Sequence, residues 1–379
     1  MRVDHARNRP EGAQPRRDLA RSLALLGTVP FFVLLLGCQA DHRIPLTVYS
    51  PHGRDQLLLL EKAFEAKHPE IDVRWLYLGS QEILDRVRFE KVNPQADVWF
   101  GGPTTMFDRG VAESLLVAYR PEWADHVDTL GRGPDDLYWP VYRTPAIIAY
   151  NNVAVPDSLV PHDWDDILGT RWDDKVLIRE PMASGTMRAI WGFIIQRSIR
   201  TTGDTAAGMA WLRRLDAQTK AYALNPALLD QQMARQEGLV TLWDLPDILI
   251  SRSKGMPFGY VFPRSGTVVI EDAIALVRGA PHPEAAKAYI DFVGSSEAQI
   301  LTARAVYRLP ARLDLPRDSV PEWVAEVYRD MKVVPMDWGM LTREGAGWMG
   351  YWDQHVRGTG KWARQEEEKA HWQAEEARH

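Results

Sequence analysis

The chain predicts an α/β fold built on a doubly wound, parallel sheet. Between residues 46 and 100 apolar strand segments alternate with amphipathic helical ones, β-α-β-α-β, and such alternation builds parallel sheets whose ligands lie beyond the carboxyl ends of the strands. The later chain repeats this rhythm. At 379 residues the length is about twice that of one typical domain.

The elements follow in order. Residues 1–21 are basic and polar, and Ser22 to Ala40 carries no charge, with apolar runs at Leu23–Leu26 and Phe31–Leu36. This is the pattern of a charged n-region and an apolar h-region. Pro30 and two glycines weaken a permanent membrane-spanning reading. The segment ends in Leu35-Leu36-Gly37-Cys38, which resembles the lipobox of bacterial lipoproteins, and Cys38 is the only cysteine. Residues 1–37 are therefore expected to be a lipoprotein signal peptide and Cys38 the lipidated first residue of the mature chain. An uncleaved anchor is the alternative. Arg16-Arg17 loosely resembles a twin-arginine signal, which leaves the export route open.

Leu46–Ser50 reads as a buried strand ending in the turn Pro51-His52-Gly53. Leu57, Leu60, Ala63 and Phe64 fall at helical spacing, closed by Pro69. Ile71, Val73, Trp75 and Tyr77 alternate as a strand; Gly79-Ser80 opens a helix with Ile83, Leu84 and Val87; Ala96–Phe100 is a third strand. Further strands are expected at Pro145–Tyr150, Leu239–Leu242 and Thr267–Val277. Helices are expected from Ser184, near Met209–Leu215, from Asn225-Pro226, from His282-Pro283 and after Ser295-Ser296. From Arg357 the chain is charged and polar, a solvated helix or frayed tail.

Composition narrows the function. Hydrophobic residues at 45% and charged residues at 25% exclude disordered and fibrous classes. A single cysteine excludes an intrachain disulfide or zinc-thiolate cluster. Residues 1–37 hold six Arg against Asp4, Glu11 and Asp18, leaving 39 basic and 48 acidic residues beyond, which argues against a nucleic-acid surface. No HExxH, GxxxxGK[ST] or GxSxG occurs, and Gly345-Ala-Gly347-Trp-Met-Gly350 lacks the strand and βαβ unit that a dinucleotide site needs. No cofactor or resident metal is expected.

Four polar segments remain at strand ends or helix starts: Ser50-Pro-His52-Gly53, Gly79-Ser80-Gln81, Gly101-Gly102-Pro-Thr104-Thr105 and Ala183-Ser184-Gly185-Thr186. Each can present free backbone N–H groups and a hydroxyl at the positive end of a helix dipole, which suits an anion; singly, each is also an ordinary N-cap. Three of them lie at strand ends of one parallel sheet and so converge. Trp139 and Trp243, in loop contexts, are cleft candidates, and Arg188 or Arg143 could add positive charge.

Val48–His52, Asn93–Phe100, Trp164–Leu168, Glu180–Thr186 and Arg278–Ile290 together resemble the extracellular solute-binding proteins of ABC importers. More narrowly they are similar to the ferric-iron-binding type and its phosphonate- and sugar-phosphate-binding relatives, over residues 45–312. The resemblance implies a periplasmic-binding-protein-like fold, two doubly wound α/β lobes joined by two crossover strands. Lobe 1 would hold 43–149 with 266–312, lobe 2 would hold 150–265 with 313–356, and 357–379 would form the tail. The ferric type uses a pair of adjacent Tyr where this chain has Val240-Thr-Leu-Trp243-Asp244, so iron is the runner-up.

The combined expectation is a monomeric, membrane-anchored extracytoplasmic lipoprotein that captures a small anionic solute, of the phosphonate, organic phosphate or carboxylate class. It would deliver this solute to an ABC permease in the inner membrane, without catalysis. The ligand-binding candidates are Ser50, His52, Ser80, Gly101, Gly102, Thr104, Trp139, Tyr142, Arg143, Ser184, Gly185, Thr186, Trp243 and Asp244. A hydrolase using Ser184 is a further alternative, although no Ser/His/Asp order supports it.

Overall fold

The computed structural model describes residues 42–361 and residue 365. The signal segment, Cys38 and most of the last 18 residues lie outside the described residues.

The first half of the sheet starts with β1 (Ile44–Ser50), α1 (Arg54–Glu65), β2 (Ile71–Tyr77), α2 (Ser80–Phe89), β3 (Val98–Pro103), α3 (Thr104–Ala112) and the short β4 (Leu116–Val117). β1 pairs in parallel with both β2 and β3, as the alternation predicts. The period of two along β3 divides its side chains between two cores. Val98 and Phe100 join Leu57, Leu60 and Phe64 of α1 on one face, while Trp99 joins α2 and α3 residues Ile83, Leu84 and Phe107 on the other.

β5 (Trp139–Asn151) is longer than the six-residue strand expected, and it changes partners along its length. Residues 139–145 pair antiparallel with β10 (Val269–Val277), whose other edge joins β3. Residues 146–151 pair antiparallel with β8 (Val240–Asp244) and β9 (Phe258–Val261). Beyond β8 the sheet becomes parallel again through β6 (Val176–Arg179) and β7 (Thr219–Ala223). The main strand order is β2-β1-β3-β10-β5-β8-β6-β7. β10 and β5 depart from the parallel expectation because each runs against its neighbours.

The second half is covered by α4 (Gly185–Thr202), α5 (Ala206–Gln218), α6 (Pro226–Ala234) and α7 (Leu245–Ser253). α8 (Pro283–Val293), α9 (Ser296–Val306) and the short β11 (Leu309–Pro310) return to the first half, where α8 packs on β10. α10 (Glu322–Asp330) and α11 (Trp338–His355) end the fold, and Trp352 is fully buried in the second half's core beside Trp191. α11 also touches both halves through side chains. Gln196 of α4 exchanges two hydrogen bonds with the Asp337 backbone at 2.7 and 2.9 Å, and Thr342 Oγ1 donates to Asp108 of α3 at 2.9 Å.

The expected tail starts as ordered structure. Asp216 accepts the N–H groups of Gly358 and Gly360 at 3.0 and 2.9 Å, and Arg357 pairs with Glu180, so the chain stays docked through Gly360.

Asp97 ties β1 to the start of α8. Its buried carboxylate accepts the Thr47 N–H at 2.8 Å and the His282 N–H at 2.6 Å. An unsatisfied buried donor costs about 1–3 kcal/mol, so Asp97→Ala should lower unfolding free energy by roughly 2–4 kcal/mol, read by urea denaturation. A loss below about 1 kcal/mol would show that water takes over both donors.

Candidate functional site

The parallel strands β1, β2 and β3 deliver three of the four polar segments to one sheet edge, and the start of α4 meets them from the other half. The meeting is close. A Cβ on Gly185 would lie 2.5 Å from Pro103 Cδ and 2.8 Å from Ser80 Oγ, so only glycine lets the α4 turn reach the first half. Beside this contact is a cavity of about 320 Å³. From the first half it is lined by Pro51, Tyr77, Gly79, Ser80 and Glu82, and from the second by Arg179, Ser184, Gly185, Thr186, Asn225, Pro226 and Trp243.

Helix starts dominate the wall. Ser184 is the N-cap of α4, its Oγ accepting the Met187 N–H at 3.2 Å, which leaves the N–H groups of Gly185 and Thr186 without an intrahelical acceptor. Asn225 caps α6 in the same manner, accepting the Leu228 N–H at 2.9 Å, with Pro226 as the first helical residue. Gly79 precedes α2, and its N–H is held by Glu82 at 2.6 Å. Three positive helix ends thus border one cavity.

Arg179 supplies the full charge. It ends β6, is 5% exposed, and has no carboxylate partner among the described residues; Nη1 reaches only the carbonyls of Glu180 and Ala223, each at 3.4 Å. Burial lowers its pKa from the usual arginine value. The indole N–H of Trp243 is also buried, with no acceptor among the described residues. Burial, with the charge of Asp247, pushes the Tyr77 hydroxyl up to about 12, so it stays a neutral donor.

Of the expected residues, Ser80, Ser184, Gly185, Thr186 and Trp243 line this cavity. Ser50, His52, Gly101, Gly102 and Thr104 are buried and are not among the residues lining it. Gly101 has φ +94°, and a Cβ there would sit 2.4 Å from the His52 ring. His52 is buried against Phe100 and Tyr142, 3.8 Å from Asp272, and burial together with Arg308 lowers its pKa. Asp244 is a buried N-cap of α7, accepting the Asp247 N–H at 3.1 Å and receiving Thr186 Oγ1 at 3.5 Å.

Trp139, Tyr142 and Arg143 belong elsewhere, because they sit on the unforeseen first half of β5. Trp139 is a core residue whose indole N–H donates to the Tyr119 carbonyl at 2.7 Å. Tyr142 is fully buried in the same core. Arg143 pairs with Glu271 at 3.0 Å across the β5–β10 ladder. Arg179, Tyr77, Glu82 and Asn225 are polar wall residues absent from the ligand candidates expected from sequence. For Arg179 the available signal was one cation closing the apolar run Val176-Leu-Ile, directly before the Pro181–Thr186 segment.

Residues 94–336 match the family of bacterial extracellular solute-binding proteins. The chain belongs to this family. The solute-binding protein is 26% identical over 319 residues to a probable ABC transporter periplasmic-binding protein of Sinorhizobium fredii, covering 80% of this chain and 84% of that one. It is 27% identical over 259 residues to a Salmonella typhimurium protein named provisionally as 2-aminoethylphosphonate-binding and periplasmic, covering 66% and 72%. Among solved structures, the periplasmic binding protein AfuA of Actinobacillus pleuropneumoniae, with fructose-6-phosphate bound, superposes with TM-score 0.71 at 21% identity over 83% of this chain and 99% of that one. The solute-binding protein thus has the two-lobed fold of periplasmic binding proteins, in a family of solute-binding proteins rather than enzymes. Among the described residues no helix is long and apolar enough to cross a membrane.

Asp230, which raises the Tyr77 pKa through its charge, is itself raised to about 7, chiefly by burial, with Ser251 donating to it. The folded state therefore holds a proton that the unfolded chain releases near pH 4, and this stabilisation is lost as pH rises through 7. Asp230→Asn should gain about 2–4 kcal/mol relative to the parent between pH 4 and pH 8, measured by urea unfolding. A difference that does not change with pH would contradict the raised pKa.

Proposed function

We propose that the protein captures a small anionic solute, of the phosphonate, organic phosphate or carboxylate class, in the 320 Å³ cavity and releases it to the ABC permease of the inner membrane. The observation that carries this reading is Arg179, a buried guanidinium that forms no ion pair among the described residues, set among the N-termini of α4 and α6. Arginine forks and helix-start N–H groups are the natural partners of an oxyanion. The printed names of the Salmonella relative and of AfuA support a phosphorus-containing solute. Glu82 adds a carboxylate to the wall that suits an amino group on the same solute.

The lobes of this reading are 43–149 with 266–312 and 150–265 with 313–356, closing on the solute. The change of β5 partners supports two halves, with the switch at Pro145–Ala146, four residues before the boundary of that division. Ferric iron is the weaker reading. A hard cation wants several oxygen anions, and the wall offers Glu82 and Tyr77 beside a fixed positive charge. A hydrolase reading is weaker still, since Ser184 Oγ is engaged in capping.

Isothermal titration with 2-aminoethylphosphonate, fructose 6-phosphate and citrate tests the cavity. Arg179→Met should weaken the tightest binder by about 100-fold or more, and Ser184→Ala by roughly 10-fold with about 1 kcal/mol of stability lost from the cap. Undiminished affinity in Arg179→Met would remove the reading.

Membrane attachment through a lipid on Cys38, with the mature protein a monomer on the periplasmic side, completes the proposal; the lipobox-like Leu35–Cys38 supports it. Cys38→Ala should accumulate as an uncleaved precursor that takes up no labelled fatty acid. Label retained by that variant would sink the lipoprotein assignment.

A further inference from the structure

Gln81 and Ala183, the residues next along the chain from the solute cavity's Ser80 and Ser184, line a second cavity of about 560 Å³. Its walls come from α2, α3, the start of α4 and α11. Three guanidinium groups face it: Arg109, Arg188 and Arg357. Most of the carboxylates there are already engaged. Arg357 pairs with Glu180 and, at 3.2 Å, with Asp353; Arg88 holds Asp85 at 2.5 Å; Glu82 accepts the Gly79 N–H.

Neither Arg109 nor Arg188 forms an ion pair among the described residues, although the charges of Asp85 and Glu180 reach Arg188 and that of Arg109 reaches Glu113. Arg109 bonds the Gln81 amide oxygen at 3.0 Å. Among the described residues Arg188, 8% exposed, bonds only the Met182 carbonyl, at 2.6 Å, and its Nε has no partner. Burial and then the charge of Arg109 push the Arg188 pKa down to about 10, so the two groups repel across the cavity they share. A buried guanidinium facing a second, half-buried one is costly unless an anion lies between them.

We propose that this second cavity binds a phosphate-class oxyanion between Arg109 and Arg188, independently of the transported solute. The bidentate guanidinium fork matches phosphate oxygens, and a dianion balances the two unpaired cations. Because Arg109 lies on α3 and Arg188 on α4, an occupied site ties those helices together.

Equilibrium dialysis with radiolabelled inorganic phosphate tests this in the purified protein and three variants. Arg179→Met, altered only in the solute cavity, should still bind one phosphate per chain. Arg188→Met and Arg109→Gln should each weaken that phosphate by about 10- to 100-fold. Circular dichroism melts check folding; should Arg188→Met fail to fold, the half-buried Arg109→Gln decides. No phosphate bound by Arg179→Met at millimolar concentration, or unchanged affinity in Arg109→Gln, overturns the second site. Neither result touches the solute cavity, which stands or falls on its own titration of Arg179→Met.

Discussion

The geometry depends on one continuous strand that serves two sets of partners. β5 hydrogen-bonds β10 along residues 139–145 and β8 and β9 along 146–151, so both halves of the sheet are built on a single covalent backbone. Because β1, β2 and β3 are parallel on one side and β6, β7 and β8 on the other, each half sends its helix starts to one edge. The positive ends of α2, α4 and α6 are then brought to one cavity by topology. No single loop would gather that much partial charge.

The close approach of Gly185 to Pro103 and Ser80 shows how narrow this arrangement is. Any β-carbon at Gly185 would push the α4 turn away from the first half and open the wall that Ser184 and Thr186 help to form. Gly101 makes a second close approach. Its positive φ lets β3 turn over the His52 ring. His52, Asp272 and Thr144 form one buried polar cluster behind the β1 turn, and Asp97 ties β1 to the start of α8.

Much of this was legible in sequence because it rests on local rules. Asn225-Pro226 and Ser184 announce helix starts through capping chemistry alone, and both fall on the cavity wall. The misplacements of Trp139 and Arg143 share one cause. Pro140 and Pro145 interrupt the apolar pattern ahead of Ala146, so the first half of β5 read as a loop, and Trp139 read as a cleft residue when it is a core residue. Arg143 followed it, since a cation in a presumed loop gives no hint of a Glu271 partner across a ladder 128 residues away. Arg179 escaped notice for the opposite reason: one charge ending a four-residue apolar strand has no periodicity.

The energetics of Arg179 connect structure to the proposed cycle. A buried guanidinium without a counter-ion is costly, by several kcal/mol before water or an anion reaches it. With the cavity walls together and no solute present, that cost falls on the protein; with the walls apart, water removes it. An oxyanion supplies the missing charge and can also accept the free N–H groups of Gly185 and Thr186, so it stabilises the compact arrangement more than the open one. Differential stabilisation of that kind is what a solute needs in order to shift a two-state equilibrium. In the proposed cycle, a fully paired arginine at the end of β6 would favour the compact form without solute, and the energetic difference between loaded and empty protein would shrink.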